Sequence, residues 1–106
     1  MDDPINSGHD CTPGYKLLGD FWTLKIIGEL SDGEKRFSEI ERALGDINTA
    51  TLSKRLAKLH ADGVIIRNEI SRADVTYALT ERGKLVLPVL QAMDEFAVKF
   101  DQTQGA

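Results

Sequence analysis

Thr51, Lys54 and Lys58 recur at three- and four-residue spacing, so in a helix they project from one side, one turn apart along the axis. A hydroxyl and two ammonium groups in such a row form a basic strip that a partner can read. Leu52, Leu56 and Leu59 fall on the opposite side, where they hold the helix to a body and leave the strip facing out.

The strip needs a brace. The stretch from Phe37 to Gly63, FSEIERALGDINTATLSKRLAKLHADG, reads as two short helices around a tight turn. Ile40 and Leu44 on the first helix, with Ile47 in the connection, supply the surface that the leucines pack against. Gly45, Asp46 and Asn48 are turn formers, and Asn48 is placed to cap the second helix. This is the layout of a helix-turn-helix, in which one helix braces and the next enters a DNA major groove.

Net charge weighs against that reading until its distribution is examined. The chain of 106 residues carries -4 overall. Between Thr49 and Arg72, however, Lys54, Arg55, Lys58, Arg67 and Arg72 face only Asp62 and Glu69, a local net of +3 that leaves -7 for the other segments. An acidic body with one basic strip repels DNA everywhere but along the strip.

A length of 106 residues with 42% apolar content and three prolines fits one small domain with one core. No apolar run approaches the ~20 residues of a membrane span, and the opening MDDPINSGHD lacks the regions of a secretory signal, so a cytoplasmic protein without membrane contact is expected. The single cysteine, Cys11, excludes an internal disulfide. His9 and Cys11 lie close, but only His60 could join them, so no metal site is expected. Neither paired carboxylates nor a phosphate-binding glycine loop is present. Neither an enzyme nor a cofactor is indicated.

Taken in order, residues 1–12 read as a flexible arm, 13–100 as the folded domain and 101–106 as a flexible tail. Tyr15 to Leu18 form a helical turn broken at Gly19, and Asp20 caps the next helix. That helix sets Phe21, Leu24, Ile27 and Gly28 along one side with Ile26 and Leu30 beside them, and ends at Ser31 to Gly33. Trp22 at its start reads as a core or dimer anchor. Lys35 to Phe37 can pair as a third, edge strand. Beyond the Gly63 C-cap, two alternating runs, Val64 to Ile70 and Val75 to Thr80, flank a polar tip at Arg72. A hairpin after a helix-turn-helix is a wing.

Thr80 is placed to cap a final helix from Glu81 to about Phe100. Leu85, Val89, Met93, Phe96 and Phe100 mark one apolar stripe, and Val86, Leu90 and Ala97 an adjoining one, together wider than one core requires. The surplus implies a second chain, with Leu90, Met93, Phe96, Ala97 and Phe100, alongside Trp22, in the dimer seam. Pro88 inside this helix is expected to bend it. The expected fold is α+β, mainly α: a winged helix-turn-helix with a two- to three-stranded β-wing and a long C-terminal dimerisation helix.

The ordered set of segments resembles the HxlR-type winged helix-turn-helix transcriptional regulators. LLGDFWTLKIIGEL looks like the family's opening, DGEKRFSEIERAL resembles its Asp-Gly-x-x-Arg-Phe segment, TLSKRLAKLHADGVI is similar to its recognition segment, and YALTERGKLVLPVL is similar to its closing strand and helix. The resemblance implies a homodimer on a double-stranded operator with inverted-repeat half-sites. It places the helix from Thr49 to Asp62 in the major groove and the hairpin tip near Arg72 on the backbone or minor groove. On that pattern Thr49, Ala50 and Thr51 meet base edges, and Ser53, Lys54, Arg55 and Lys58 contact phosphates, with Lys54 and Arg55 also in reach of bases. The other reading of Arg55 is a salt bridge to a carboxylate such as Glu39. Arg36 and Arg67 are further phosphate contacts or solvated positions. Some members of the family sense oxidants or electrophiles through a cysteine before the first helix, which makes Cys11 a candidate sensor; the other reading is a passive thiol near the dimer seam. The effector, the operator sequence and the sign of regulation are open. The alternative function is a winged-helix module for protein–protein contact without DNA readout.

Overall fold

The computed structural model describes residues 10–103. Seven residues, Thr12–Leu18, form α1, with Pro13 in its first turn, where no backbone N–H is needed. Helix formation thus starts earlier than the expected turn at Tyr15, while the expected break at Gly19 is present. Of the expected N-terminal arm, residues 1–9 lie outside the described residues, and Thr12 is already helical.

Asp20 caps α2, Phe21–Glu29, by accepting from the Thr23 N–H, and a 3-10 turn over Leu30–Asp32 ends it. A two-residue β1, Lys35–Arg36, leads into α3, Phe37–Leu44. The turn at Gly45 has φ +63, a left-handed conformation open to glycine without strain. α4, Thr49–Ala61, follows under an Asn48 cap that accepts from the Ala50 and Thr51 N–H groups at 2.8 and 3.3 Å. The hairpin consists of β2, Ile65–Ser71, and β3, Asp74–Leu79, with Arg72 and Ala73 at its tip.

β3 is the middle strand of an antiparallel sheet in the order β1-β3-β2. Lys35 lies opposite Tyr77, Arg67 opposite Tyr77 on the other side, and a bulge between Glu69 and Ser71 precedes the tip. The expected edge strand is therefore real. Ile26, Ile27 and Leu30 of the second helix region, Ile40 and Leu44 of α3, Ile47, and Leu52, Leu56 and Leu59 of α4 meet Val64, Ile65, Tyr77 and Val86 in one core. Phe21, at the start of the apolar side of α2, is exposed and lies edge-to-face on Trp22.

The C-terminal segment departs from the expected single helix. α5, Glu81–Lys84, and α6, Leu87–Thr103, are separated by a turn at Leu85 and Val86. Pro88 causes the break: it has no N–H to give the Lys84 carbonyl, and its ring clashes with that carbonyl in a continuous helix. It sits in the first turn of α6, where both defects are harmless, so it divides two helices and does not bend one. The Leu85 and Val86 N–H groups instead bond three residues back, to the carbonyls of Arg82 and Gly83. α6 runs on to Thr103, so the first part of the expected tail is helical.

One junction fixes the wing and α5 to the end of α4. The Thr80 hydroxyl reaches the Gly63 carbonyl at 2.6 Å, and its oxygen accepts from the Gly83 N–H at 3.0 Å, as the expected Thr80 cap requires. Gly83 lies so close to Val64 that a Cβ there would stand 2.1 Å from the Val64 carbonyl oxygen.

Candidate nucleic-acid interface

α4 buries its leucines almost completely and turns Thr49, Ala50, Ser53, Lys54 and Lys58 to solvent. The Asn48 cap leaves the N-terminal turn regular and presents the first exposed side chains of the helix. The Thr49 hydroxyl donates to the Glu41 carboxylate on α3, which ties the brace to the start of α4. Thr51 is half-buried.

The cations of the strip differ in how far they are committed. Arg55 is the most committed: its Nε and Nη2 donate to the two Asp20 oxygens at 2.9 and 3.1 Å. This fork makes Arg55 a structural tie between α4 and the first turn of α2 and draws it away from base readout. The salt bridge to a neighbouring carboxylate is present, with Asp20 as the partner in place of Glu39, which accepts from the Arg36 N–H at 2.8 Å. The Arg55 guanidinium holds the Asp20 carboxyl down at about 2, with the Thr23 N–H and hydroxyl adding to it and burial opposing.

Lys58 pairs with Asp62 one turn on, at 3.1 Å. Arg67 pairs with Glu69 at 2.7 Å, and Arg36 lies 3.4 Å from Asp74. The Lys58 and Arg67 pairs are exposed contacts that solvent screens and a phosphate can replace, whereas the Asp74 Oδ1 facing Arg36 is itself buried. Lys54 and Arg72 carry no ion pair among the described residues. Arg36, Arg67 and Arg72 line one cleft of about 390 Å³ between the start of α3 and the wing. The fold thus gathers the scattered arginines of the sequence beside the hairpin tip. Lys54, Arg55 and Lys58 border a second, larger groove together with Lys16 and Arg82. Sequence reasoning missed Asp20, Lys16 and Arg82 as neighbours of the strip, since separations of this length leave no periodic signal.

The dimer candidates divide. Trp22 and Leu90 are half-buried against the core, so they serve this chain's own packing. Met93, Phe96, Ala97 and Phe100 are exposed on α6, joined by Val89 and Val98, and the Phe96 and Phe100 rings stack at 5.6 Å. Val86 and Leu87 go to the core with Leu90. The front of the C-terminal segment therefore belongs to the domain, while the rest of α6 leaves its apolar side uncovered.

Cys11 is half-buried at the N-cap position of α1. His9 lies outside the described residues, and among those described no three metal-ligating side chains cluster. No described helix is long and apolar enough to cross a membrane.

A family profile described as HxlR-like helix-turn-helix matches residues 17–104. An HTH-type transcriptional regulator of Halalkalibacterium halodurans is 37% identical over 100 residues, covering 90% of this chain and 88% of that protein. The structure of reduced YodB from Bacillus subtilis superposes with a TM-score of 0.76 at 32% identity, over 99% of this chain and 97% of that one. Quinone-bound YodB gives 0.73 at 33% identity, over 82% and 93%. The redox regulator HypR in its oxidised form gives 0.75 at 30% identity, over 81% and 91%.

Proposed function

Because the chain belongs to the HxlR-like helix-turn-helix family and is a DNA-binding transcriptional regulator of that type, we propose that it works as a homodimer on an operator of two inverted half-sites. α4 enters the major groove of each half-site and the wing lies on the flanking backbone or minor groove. The observation that carries this reading is the division of α4, with three buried leucines on one side and Thr49, Ala50, Ser53, Lys54 and Lys58 exposed on the other.

Thr49, Ala50 and Thr51 read base edges from the N-terminal turn, Ser53, Lys54 and Lys58 hold phosphates, and Arg36, Arg67 and Arg72 hold the backbone beside the wing. Arg55 supports the helix from behind through Asp20. Two copies associate through Met93, Phe96, Ala97 and Phe100, whose exposure as a group favours a covered face. Fluorescence anisotropy against the DNA flanking the chain's own gene tests the reading. Saturable binding that weakens linearly on a log–log salt scale is expected, and no salt-sensitive binding to any such fragment would refute it.

Cys11 is the proposed point of response to oxidants or electrophiles, in keeping with the quinone-bound state of YodB and the oxidised state of HypR. Its position at the start of α1 lets a modified thiol disturb the first helix. DNA affinity before and after diamide tests this. An equal response in Cys11→Ser would exclude it.

A further inference from the structure

A groove of about 1010 Å³ opens between α1, the C-terminal half of α4 and α5. Its lining combines the half-buried Leu17 and the buried Leu59 and Val64 with the buried Thr23. Its rim is cationic. Lys16, Lys54 and Arg82 are exposed around it and have no ion pair among the described residues. The two carboxylates that face the groove are both taken, Asp20 by Arg55 and Asp62 by Lys58. On a chain of net charge -4, three uncompensated cations around this lining are a local reversal of the overall balance.

We propose that this groove binds a small amphipathic anion, an aromatic ring or branched apolar group bearing a carboxylate or sulfonate, and that the anion competes with DNA for Lys54. The apolar body lies over Leu17, Leu59 and Val64, while the charge meets Lys16, Lys54 and Arg82. Concave sites with an apolar lining and a few convergent polar groups are where small ligands bind, and the volume is at the upper end of their usual range. The competition follows from position, because Lys54 borders the groove and is exposed on the side of α4 proposed to face DNA. A bound anion neutralises part of the strip that an acidic protein depends on. Ligand binding itself is independent of the operator reading; only the competition rests on it.

The probe is 1-naphthoate, with neutral 1-naphthalenemethanol as control, titrated into the full 15N-labelled chain. Saturable amide shifts centred on Leu17, Leu59, Gly63 and Val64 are expected, with the neutral analogue markedly weaker. A Lys16→Gln/Arg82→Gln double variant should bind naphthoate about fivefold or more weakly, as loss of two partly exposed charge contacts implies. Absence of saturable shifts up to about millimolar naphthoate, equal binding of the neutral analogue, or undiminished binding in the double variant whose spectrum shows a folded chain would each overturn the site. For the competition, naphthoate should lower operator affinity in the wild type and less so in the double variant. Naphthoate that saturates the groove while DNA affinity stays constant would overturn that half. A failure of the operator reading appears separately, as no DNA binding in the absence of naphthoate.

Discussion

The guanidinium of Arg55 closes a two-pronged hydrogen bond on the carboxylate of Asp20, at 2.9 and 3.1 Å, and so fastens the middle of α4 to the cap of α2 across 35 residues of chain. Both side chains are about a third exposed, which holds the expected loss in Arg55→Ala to about 1 kcal/mol of unfolding free energy. Lysine should restore less than half, because it lacks the planar fork. The pH dependence has a definite sign. Asp20 titrates near 2 in the folded chain against 3.8 for the free side chain, so its stabilisation is full above about 3.8 and is lost as pH falls through about 2. Asp20→Asn keeps a capping oxygen and removes the charge. Its deficit relative to wild type in urea unfolding should be constant near neutrality and close in that acid window; a deficit unchanged at pH 2 would contradict the assignment.

Lys54 and Lys58 should separate in DNA-binding assays. Lys54→Ala should lower the salt slope by about one phosphate contact. Lys58 must first leave Asp62, so Lys58→Ala should cost less, and Asp62→Asn should tighten binding at low salt. Anisotropy titrations across a salt series measure all three. Equal losses in both lysine variants with no gain from Asp62→Asn would remove the distinction.

How far these features could be read from residues alone depends on their range. The caps at Asp20, Asn48 and Thr80 were legible because a side-chain oxygen and the N–H it accepts from lie within three residues. The leucine face of α4 and the alternation of β3 were legible as periods. Pro88 was misplaced because periodicity carried the apolar stripes through it, whereas the lost bond to the Lys84 carbonyl stopped the helix. Trp22 reads as a core or a dimer anchor and Leu90 as a dimer residue because apolar residues do not announce whose core they join. The Asp20 partner of Arg55 and the groove shared by Lys16, Lys54 and Arg82 arise only when α1, α2, α4 and α5 are brought together.

Gly83→Ala should test the junction that holds α5 to the end of α4. The added methyl meets the Val64 carbonyl oxygen at 2.1 Å and the Val64 Cγ1 at 3.2 Å, and backbone cannot swing aside as a side-chain tip can. A loss of about 2–3 kcal/mol in chemical denaturation is expected, the scale of overpacking in a close-packed site. Alanine tolerated within ~0.5 kcal/mol, the range of a neutral surface change, would show that the junction yields.

Phe96→Asp should separate the copies while leaving each folded. The ring is 65% exposed and stacked on Phe100, so its removal costs the isolated domain little, but a carboxylate in a covered apolar seam is strongly disfavoured. Light scattering should give the mass of one chain, with the helical circular dichroism retained. A variant that keeps the mass of two chains would move the seam away from this face of α6.

On the proposed arrangement, two α4 helices read two half-sites whose spacing is fixed by one dimer. The most direct measurement compares affinity for the operator with affinity for the same operator carrying about five extra base pairs between its half-sites, half a helical turn. A large loss is expected, because the insertion turns the second major groove to the opposite side of the duplex from the second α4. Equal affinity for both fragments would contradict it.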